Sequence, residues 1–513
     1  MVERLPAPGD ASAVDAQLQL EGKLLENSAI FAGSVLVVMA LEAVSSIIIA
    51  RLLASEATYG MLALVLSTLG LVVPFAVLSL PEGVTKLVAE SRGSSALRAR
   101  AVIRTSGTLL LLTSGATALL LALVSGFLAV WLYNEPSLGF LLALASIAVV
   151  TSAIASLVLS IIRGLELVRW LGIVNAVNSA VSIPLAFLLL PAFGLAGAVL
   201  VVVVNPLAII GLGIFVIRKG LAGTNDAEAV WNPQVVTRLL KFSSPLFLST
   251  LLVVGVVWLL NTLLVFTGGF ADAGQFRIGF NLYTIFLSLT SAIAVPLMPL
   301  VSRLQSSRAG VSPTLLADVF LLVLLTTLPI ALGVAIFSRQ IIFILYGPQY
   351  ETAWTATFAM MAAVLVASVV PSASAVLQGY GRTWQILKFD LLYAACIVGF
   401  SVITIPRMGA WGAGLAYVLG YGVMAAALLS YVRRLAHFEP RTLLGPLLLC
   451  AGSFSAGLLL VSTLTGYLLL GAGAACVLAT TAASWSVMSP RERRTLRRLL
   501  GRLRDIAKLV TRV

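Results

Sequence analysis

The stretch Leu190-Pro191-Ala192-Phe193-Gly194-Leu195-Ala196-Gly197-Ala198 returns 215 positions later as Ile405-Pro406-Arg407-Met408-Gly409-Ala410-Trp411-Gly412-Ala413. Both copies read Pro-x-x-Gly-x-x-Gly-Ala, and both lie between apolar runs. The overlay extends without a gap over Arg163–Lys219 and Gln378–Arg434. Gly164 falls on Gly379, and Arg218 and Lys219 fall on Arg433 and Arg434. Farther upstream, Gly60 falls near Gly274 and Pro81 meets Pro296. Glycine and proline answer to backbone constraints, so their return in register predicts a repeated backbone. The repeated unit holds six apolar runs. Six is even, so both copies start from the same side of a membrane. This predicts two pseudo-symmetric six-helix bundles, parallel about an axis along the membrane normal, with a transport site between them.

The rest of the chain agrees with a membrane setting. Of 513 residues, 60% are hydrophobic and 10% charged, and the mean hydropathy is +1.07. A soluble domain carries roughly 25% charged residues. Fourteen apolar runs, from Ile30–Ala50 to Tyr467–Met488, approach or exceed the roughly 20 residues that cross a bilayer. The strand-like alternation of a barrel is missing, so helices are expected. The fold class is an all-α integral membrane protein of about 14 transmembrane helices: two six-helix bundles plus a C-terminal helix pair. The expected divisions are a cytoplasmic segment (1–27), a first bundle (28–219), a linker (220–243), a second bundle (244–434), the appended pair (435–488) and a basic tail (489–513). Met1–Asn27 contains Glu3, Asp10, Asp15, Glu21 and Glu26 and lacks the basic and apolar regions of a cleavable signal peptide. The tail starts at Ser489-Pro490-Arg491-Glu492, a capping pattern, and continues with leucines at helical spacing between arginines. It reads as an amphipathic helix on the anionic inner leaflet, or as a docking site for glycan-biosynthesis enzymes.

Charge placement sets the orientation. With both termini cytoplasmic, all but four of the 33 Lys and Arg residues face inward; the exceptions are Arg51, Arg277, Arg339 and Arg407. The net charge of +13 sits in short gaps between apolar runs, not on one soluble face, so no nucleic-acid partner is expected. Cys396, Cys450 and Cys476 lie inside apolar runs and read as small buried hydrophobes. The sole histidine, His437, falls in a loop. The sequence has no P-loop, no H-E-x-x-H and no Cys/His cluster, so neither a cofactor nor a metal is expected. The predicted outer loops are short, apart from about ten residues at Gly268–Arg277 and a longer one near Ser338–Thr352. An integral glycan polymerase or transferase would need more, so a transporter is expected instead of an enzyme.

Several short motifs, in order, carry a resemblance. They are Ala50-Arg51-Leu52-Leu53, Tyr59-Gly60-Met61-Leu62-Ala63, Pro81-Glu82-Gly83-Val84-Thr85-Lys86 with Ala89-Glu90, Ala273-Gly274-Gln275-Phe276-Arg277, and the two Pro-x-x-Gly-x-x-Gly-Ala segments. Over about Leu24–Arg434 the chain resembles the polysaccharide-transporter branch of the multidrug/oligosaccharidyl-lipid/polysaccharide exporter superfamily. The resemblance implies two bundles in a V around a central cavity, alternating access, and a lipid-linked oligosaccharide flipped from the cytoplasmic to the outer leaflet of the plasma membrane. It also implies that an appended helix pair can form a groove for the lipid tail; peripheral packing is the other reading.

A lipid-linked sugar carries a phosphate or diphosphate, which favours cations at the cavity, arginine above all. Arg51, Lys86 and Arg277 are the phosphate candidates, with Arg163 and Arg303 behind them. The competing reading is boundary residues reaching for headgroups. Glu42 lies midway along the first run, where a carboxylate is costly. It is a candidate to bind H+ or Na+, or to pair with Arg51. Asp390 is the second ion-coupling candidate, or a partner of Lys388. Asn178, Asn261 and Asn281, with Asn205, are candidates to contact sugar hydroxyls, or they join helices to each other. The rival functions are a cation-coupled multidrug exporter, favoured by Glu42, and the glycan polymerase or transferase.

Overall fold

The computed structural model describes residues 33–53, 55–92, 96–220, 232–294, 297–306, 313–436, 443–464, 466–488 and 493. The predicted N-terminal segment, residues 221–231 of the linker, His437 and the basic tail lie outside the described residues, apart from Arg493. The described elements are helices: α1 Gly33–Leu53, α2 Glu56–Val77, α3 Leu80–Arg92, α4 Ala96–Phe127, α5 Ser137–Gly164, α6 Val168–Val204, α7 Pro206–Gly220 and α8 Pro233–Ala294. Then come α9 Leu297–Ser306, α10 Pro313–Ile336, α11 Ser338–Leu345, a 3-10 turn at Pro348–Ala353, α12 Trp354–Ala367, α13 Val369–Gly379, α14 Thr383–Ala436, α15 Leu444–Thr463 and α16 Gly466–Val487.

Among the described residues, eleven helical stretches are long and apolar enough to cross a membrane. Three are double length: Val168–Lys219, Pro233–Ser291 and Trp384–Leu435, of 52, 59 and 52 residues. A straight helix of 52 residues would run about 78 Å, far beyond about 30 Å of hydrocarbon. Each contains one glycine in the left-handed region, Gly194 (φ +55°), Gly269 (φ +81°) and Gly409 (φ +55°), where the chain reverses. The Thr404 hydroxyl donates to the Gly412 carbonyl at 2.8 Å, eight residues on. In a continuous helix that separation is about 12 Å. Likewise, a Cβ on Gly197 would lie 2.1 Å from the Leu189 carbonyl oxygen, and one on Gly412 would lie 2.4 Å from that of Thr404. The repeated motif is therefore a repeated helical hairpin. Divided at the three glycines, the eleven stretches become fourteen pieces.

The two halves meet along α2 and the second arm of α8. Here Gly60 and Gly274 touch reciprocally: a Cβ on Gly60 would lie 1.7 Å from the Phe270 carbonyl oxygen, and one on Gly274 would lie 2.2 Å from that of Glu56. Small residues let membrane helices approach to backbone contact. Both halves place a valine on the matching glycine, Val88 on Gly164 and Val301 on Gly379, at 2.8 and 2.7 Å from an added Cβ. These pairs correct the upstream register. Val88 corresponds to Val301, so Pro81 does not match Pro296, and the overlay slips by two residues ahead of Gly164. The slip therefore falls between Val88 and Gly164, a stretch that includes α4 and the π-helical turn at Leu128–Leu132. Core residues follow the same halves, one cluster built mostly from α2–α6 and another from α8, α10, α12 and α14. The appended pair packs on α10, with Gly457 against Leu332 and Ile336, and Gly473 against Ile336 and Phe337.

Candidate functional site

The seam between the halves ends differently at its two extremities. At the predicted outer end, α1 finishes in Arg51, whose Nε donates to the Leu345 carbonyl at 2.7 Å and whose other guanidinium nitrogen donates to the Ile344 carbonyl. These carbonyls close α11, and a cation at a helix C-terminus is favourable there. Tyr350 follows Gly347, whose φ of +108° turns the chain after α11. Its hydroxyl donates to the Ala50 carbonyl at 2.7 Å and lies 3.2 Å from that of Ser55. Ser55 caps α2, and Glu56 occupies its first turn, where a carboxylate suits the helix dipole. Glu56 accepts from Gln275 Nε2 at 2.9 Å and from the Thr352 hydroxyl. One turn deeper, Asn281 donates to Ser46 Oγ at 2.7 Å and to the Tyr59 hydroxyl at 3.0 Å, which are themselves 3.2 Å apart. Burial first, then neighbouring Tyr59, pushes the Tyr346 hydroxyl far above its ordinary range, while Ser46, Asn281 and Arg277 pull the other way. Tyr346 thus stays a neutral donor.

This geometry redistributes the residues singled out by sequence. Arg51 does not pair with Glu42: its guanidinium is committed to two backbone carbonyls, and Glu42 makes no hydrogen bond or ion pair among the described residues. Asp390 does not pair with Lys388 but accepts from the Ser249 hydroxyl at 2.6 Å, tying α14 to the first arm of α8. Asn281 joins the two halves. Asn261 is fully buried and donates to the Val257 carbonyl at 2.8 Å within its own helix, and its Oδ1 has no partner among the described residues. Asn178 and Asn205 also hold a buried Oδ1 without a described partner. Arg277 lies on the α8 face between Gly274 and Asn281, close to Tyr346. Arg163 is exposed at the end of α5. The Arg303 side chain lies outside what is described. Of the other arginines predicted to face outward, Arg339 pairs with Glu351 and Arg407 donates to the Ile403 carbonyl at 2.8 Å.

At the predicted cytoplasmic end, α2 breaks into α3 through two residues in the left-handed region, Leu78 (φ 50°) and Ser79 (φ 49°). Ser243 donates to the freed Ser79 carbonyl at 2.7 Å. Below this bond lies a cleft of about 430 Å³, lined by Gly83, Lys86, Leu87, Glu90, Arg238, Lys241 and Phe242. Lys86 sits 3.9 Å from Glu90 and 4.8 Å above the Phe242 ring.

Sequence reasoning missed Glu56, Tyr346 and Tyr350. Their one signal was the length of the loop near Ser338–Thr352. It also missed a buried aromatic cluster of Tyr283, Tyr393, Tyr417 and Tyr421, with ring centroids of 4.8 Å for Tyr393–Tyr421 and 5.6 Å for Tyr283–Tyr417.

A family model described as polysaccharide biosynthesis protein matches residues 24–305, more than half of the chain. No curated protein matches by sequence. Among solved structures, the lipid II flippase MurJ in an inward closed conformation superposes with a TM-score of 0.68 at 14% identity, covering 89% of this chain and 98% of that one. An inward-facing multidrug resistance MATE transporter of the MOP superfamily gives 0.65 at 15% identity, covering 78% and 94%. An outward-facing structure of such a transporter gives 0.57 at 15% identity, covering 80% and 96%. These likenesses establish a transporter fold with many membrane-spanning helices.

Proposed function

Because the chain belongs to the polysaccharide biosynthesis family of multi-pass membrane proteins, we propose that it flips a lipid-linked oligosaccharide from the cytoplasmic to the outer leaflet of the plasma membrane. The observation that carries this reading is the closed outer end. There the halves are joined by backbone contact at Gly60 and Gly274 and by the Arg51, Tyr350, Glu56 and Asn281 bonds. Such a seam is made of small, reversible bonds between two bundles, which suits a gate that opens in alternation with the other end. The better superposition on an inward-facing than on an outward-facing relative supports the same state. Both termini and all but four of the basic residues face the cytoplasm. The lipid phosphate meets Lys86 at the cytoplasmic end and Arg277 nearer the outer end, and sugar hydroxyls meet Asn281 once the gate opens, with Asn178 and Asn261 as further candidates. The protein moves its cargo without making or breaking a covalent bond.

A specific observation favours a second reading. Glu42, a carboxylate in an apolar helix and without a described partner, suits proton or Na+ coupling of a drug exporter. Asp390, bonded to Ser249, is the other coupling candidate. The test uses the purified protein in vesicles holding a fluorescent polyprenyl-diphosphate sugar and a membrane-impermeant quencher. Quenching beyond that of protein-free vesicles is the expected result. No added quenching, in vesicles that exchange a cationic dye against a proton or Na+ gradient, would overturn flipping in favour of drug export.

A further inference from the structure

We infer that the cleft between α3 and the start of α8 is a docking site for the diphosphate head of a single-chain lipid in the cytoplasmic leaflet. The inference rests on the flippase reading and names where its substrate is first held.

The two walls are matching helix faces. Gly83, Lys86, Leu87 and Glu90 follow one face of α3 at helical spacing, and Arg238, Lys241 and Phe242 do the same on α8. Gly83 permits the approach: a Cβ there would lie 2.9 Å from Leu239 Cδ2 and 3.2 Å from Ser243 Oγ. Three cations and one carboxylate line the space. The Lys86–Glu90 pair is about half exposed on both sides, so it holds Lys86 weakly. Arg238 and Lys241 are exposed and make no hydrogen bond or ion pair among the described residues. The cleft therefore offers about two unmatched positive charges. A diphosphate brings about two negative charges, whereas an ordinary acidic phospholipid, a phosphodiester, brings one. Arginine provides the fork that fits phosphate oxygens.

The floor is apolar and leads toward the hydrocarbon. Leu87 and Phe242 line the cleft itself. Farther along the same seam Phe75, 45% exposed, meets Phe247 edge-on at 5.5 Å, and Leu246 is exposed beside it. A head held by Arg238 and Lys241 can lay one chain along this aromatic track. The bend at Leu78–Ser79, fixed by Ser243, keeps α3 against α8 and so holds the two walls at this spacing.

The experiment measures binding of a fluorescent polyprenyl diphosphate to the full-length protein in detergent. Competitors are phosphatidylglycerol and inorganic pyrophosphate. The expected result is saturable binding that weakens at least tenfold in Arg238→Gln/Lys241→Gln, with unchanged thermal stability. Phosphatidylglycerol should not displace the probe, and pyrophosphate should do so only at about 100-fold higher concentration. Leu87→Trp, which fills the cleft from its lining without altering charge, should weaken binding similarly and serves if the double variant does not fold. Binding at the wild-type level in both variants would overturn the site. Equal displacement by phosphatidylglycerol would make it a general acidic-lipid surface, and equal displacement by pyrophosphate a soluble-anion site; either result overturns the proposal. Flipping at full rate by a variant that no longer binds also sinks the site and leaves the flippase reading intact. Wild-type binding without flipping sinks the flippase reading and leaves the site.

Discussion

The two ends of the α2–α8 seam are built from similar residues in opposite ways. At the predicted outer end three charged groups at the contact are held by protein partners. Arg51 holds carbonyls, Glu56 holds Gln275 and Thr352, and Arg339 holds Glu351. At the predicted cytoplasmic end Arg238 and Lys241 face a cleft with their donors unused by described residues. A buried or half-buried charge needs partners, so bonding within the protein closes one end, while unmatched charge at the other invites a ligand. On the proposed reading the same seam is a gate at one extremity and a receptor at the other.

The largest break of this contrast is Gly60→Leu. Its Cβ alone would overlap the Phe270 backbone carbonyl, and overpacking against backbone costs about 3 kcal/mol or more. The closed outer state should lose about 100-fold in population. Outer-end thiol labelling of Ser46→Cys should then rise sharply and transport should fall. Arg51→Ala comes next. It removes charge-assisted donors from two carbonyls, worth about 2 kcal/mol, and should raise the same labelling while leaving lipid-phosphate binding unchanged. Arg51→Lys should not restore closure, because one ammonium cannot reproduce the fork. Asn281→Ala should cost about 1 kcal/mol, since interhelical hydrogen bonds in membranes average well under that each. A modest rise in labelling and a fall of a few degrees in thermal unfolding would report it. Arg339→Ala should be the smallest, below about 1 kcal/mol, because both partners are exposed; unaltered transport rates would check it.

Much of this fold was legible because its strongest signals are backbone signals. Gly194 and Gly409 require positive φ, and Gly197 and Gly412 face a carbonyl across a hairpin, so the repeat had to appear as repeated glycines. Gly60 and Gly274 were read only as counterparts in the repeat; their mutual backbone contact came from the structure. The upstream register was not legible, because no glycine or proline pair in the stretch from Val88 to Gly164 marks the two-residue slip. The candidate site was legible in residue type but not in partnership. Arg51 and Arg277 stood out by breaking the charge bias, yet sequence cannot say that Arg51 meets residues almost 300 positions away. Lys86 was read as a phosphate candidate, but its neighbours Arg238 and Lys241 looked like ordinary boundary cations. Only the packing of α8 against Gly83 places them opposite Lys86. Glu42 and Asp390 were read as ion-coupling candidates or as members of nearby pairs, and the structure pairs neither with its nearby cation.

The most direct test of the central claim locks the predicted outer gate. On a background lacking Cys396, Cys450 and Cys476, Ser46→Cys and Asn281→Cys are joined by a short, reducible bifunctional thiol reagent; the native side chains lie 2.7 Å apart. The cross-linked protein should bind a fluorescent polyprenyl diphosphate normally but fail to flip the corresponding diphosphate sugar, and reduction should restore flipping. Flipping at the unlinked rate with the cross-link intact would contradict a gate at this seam.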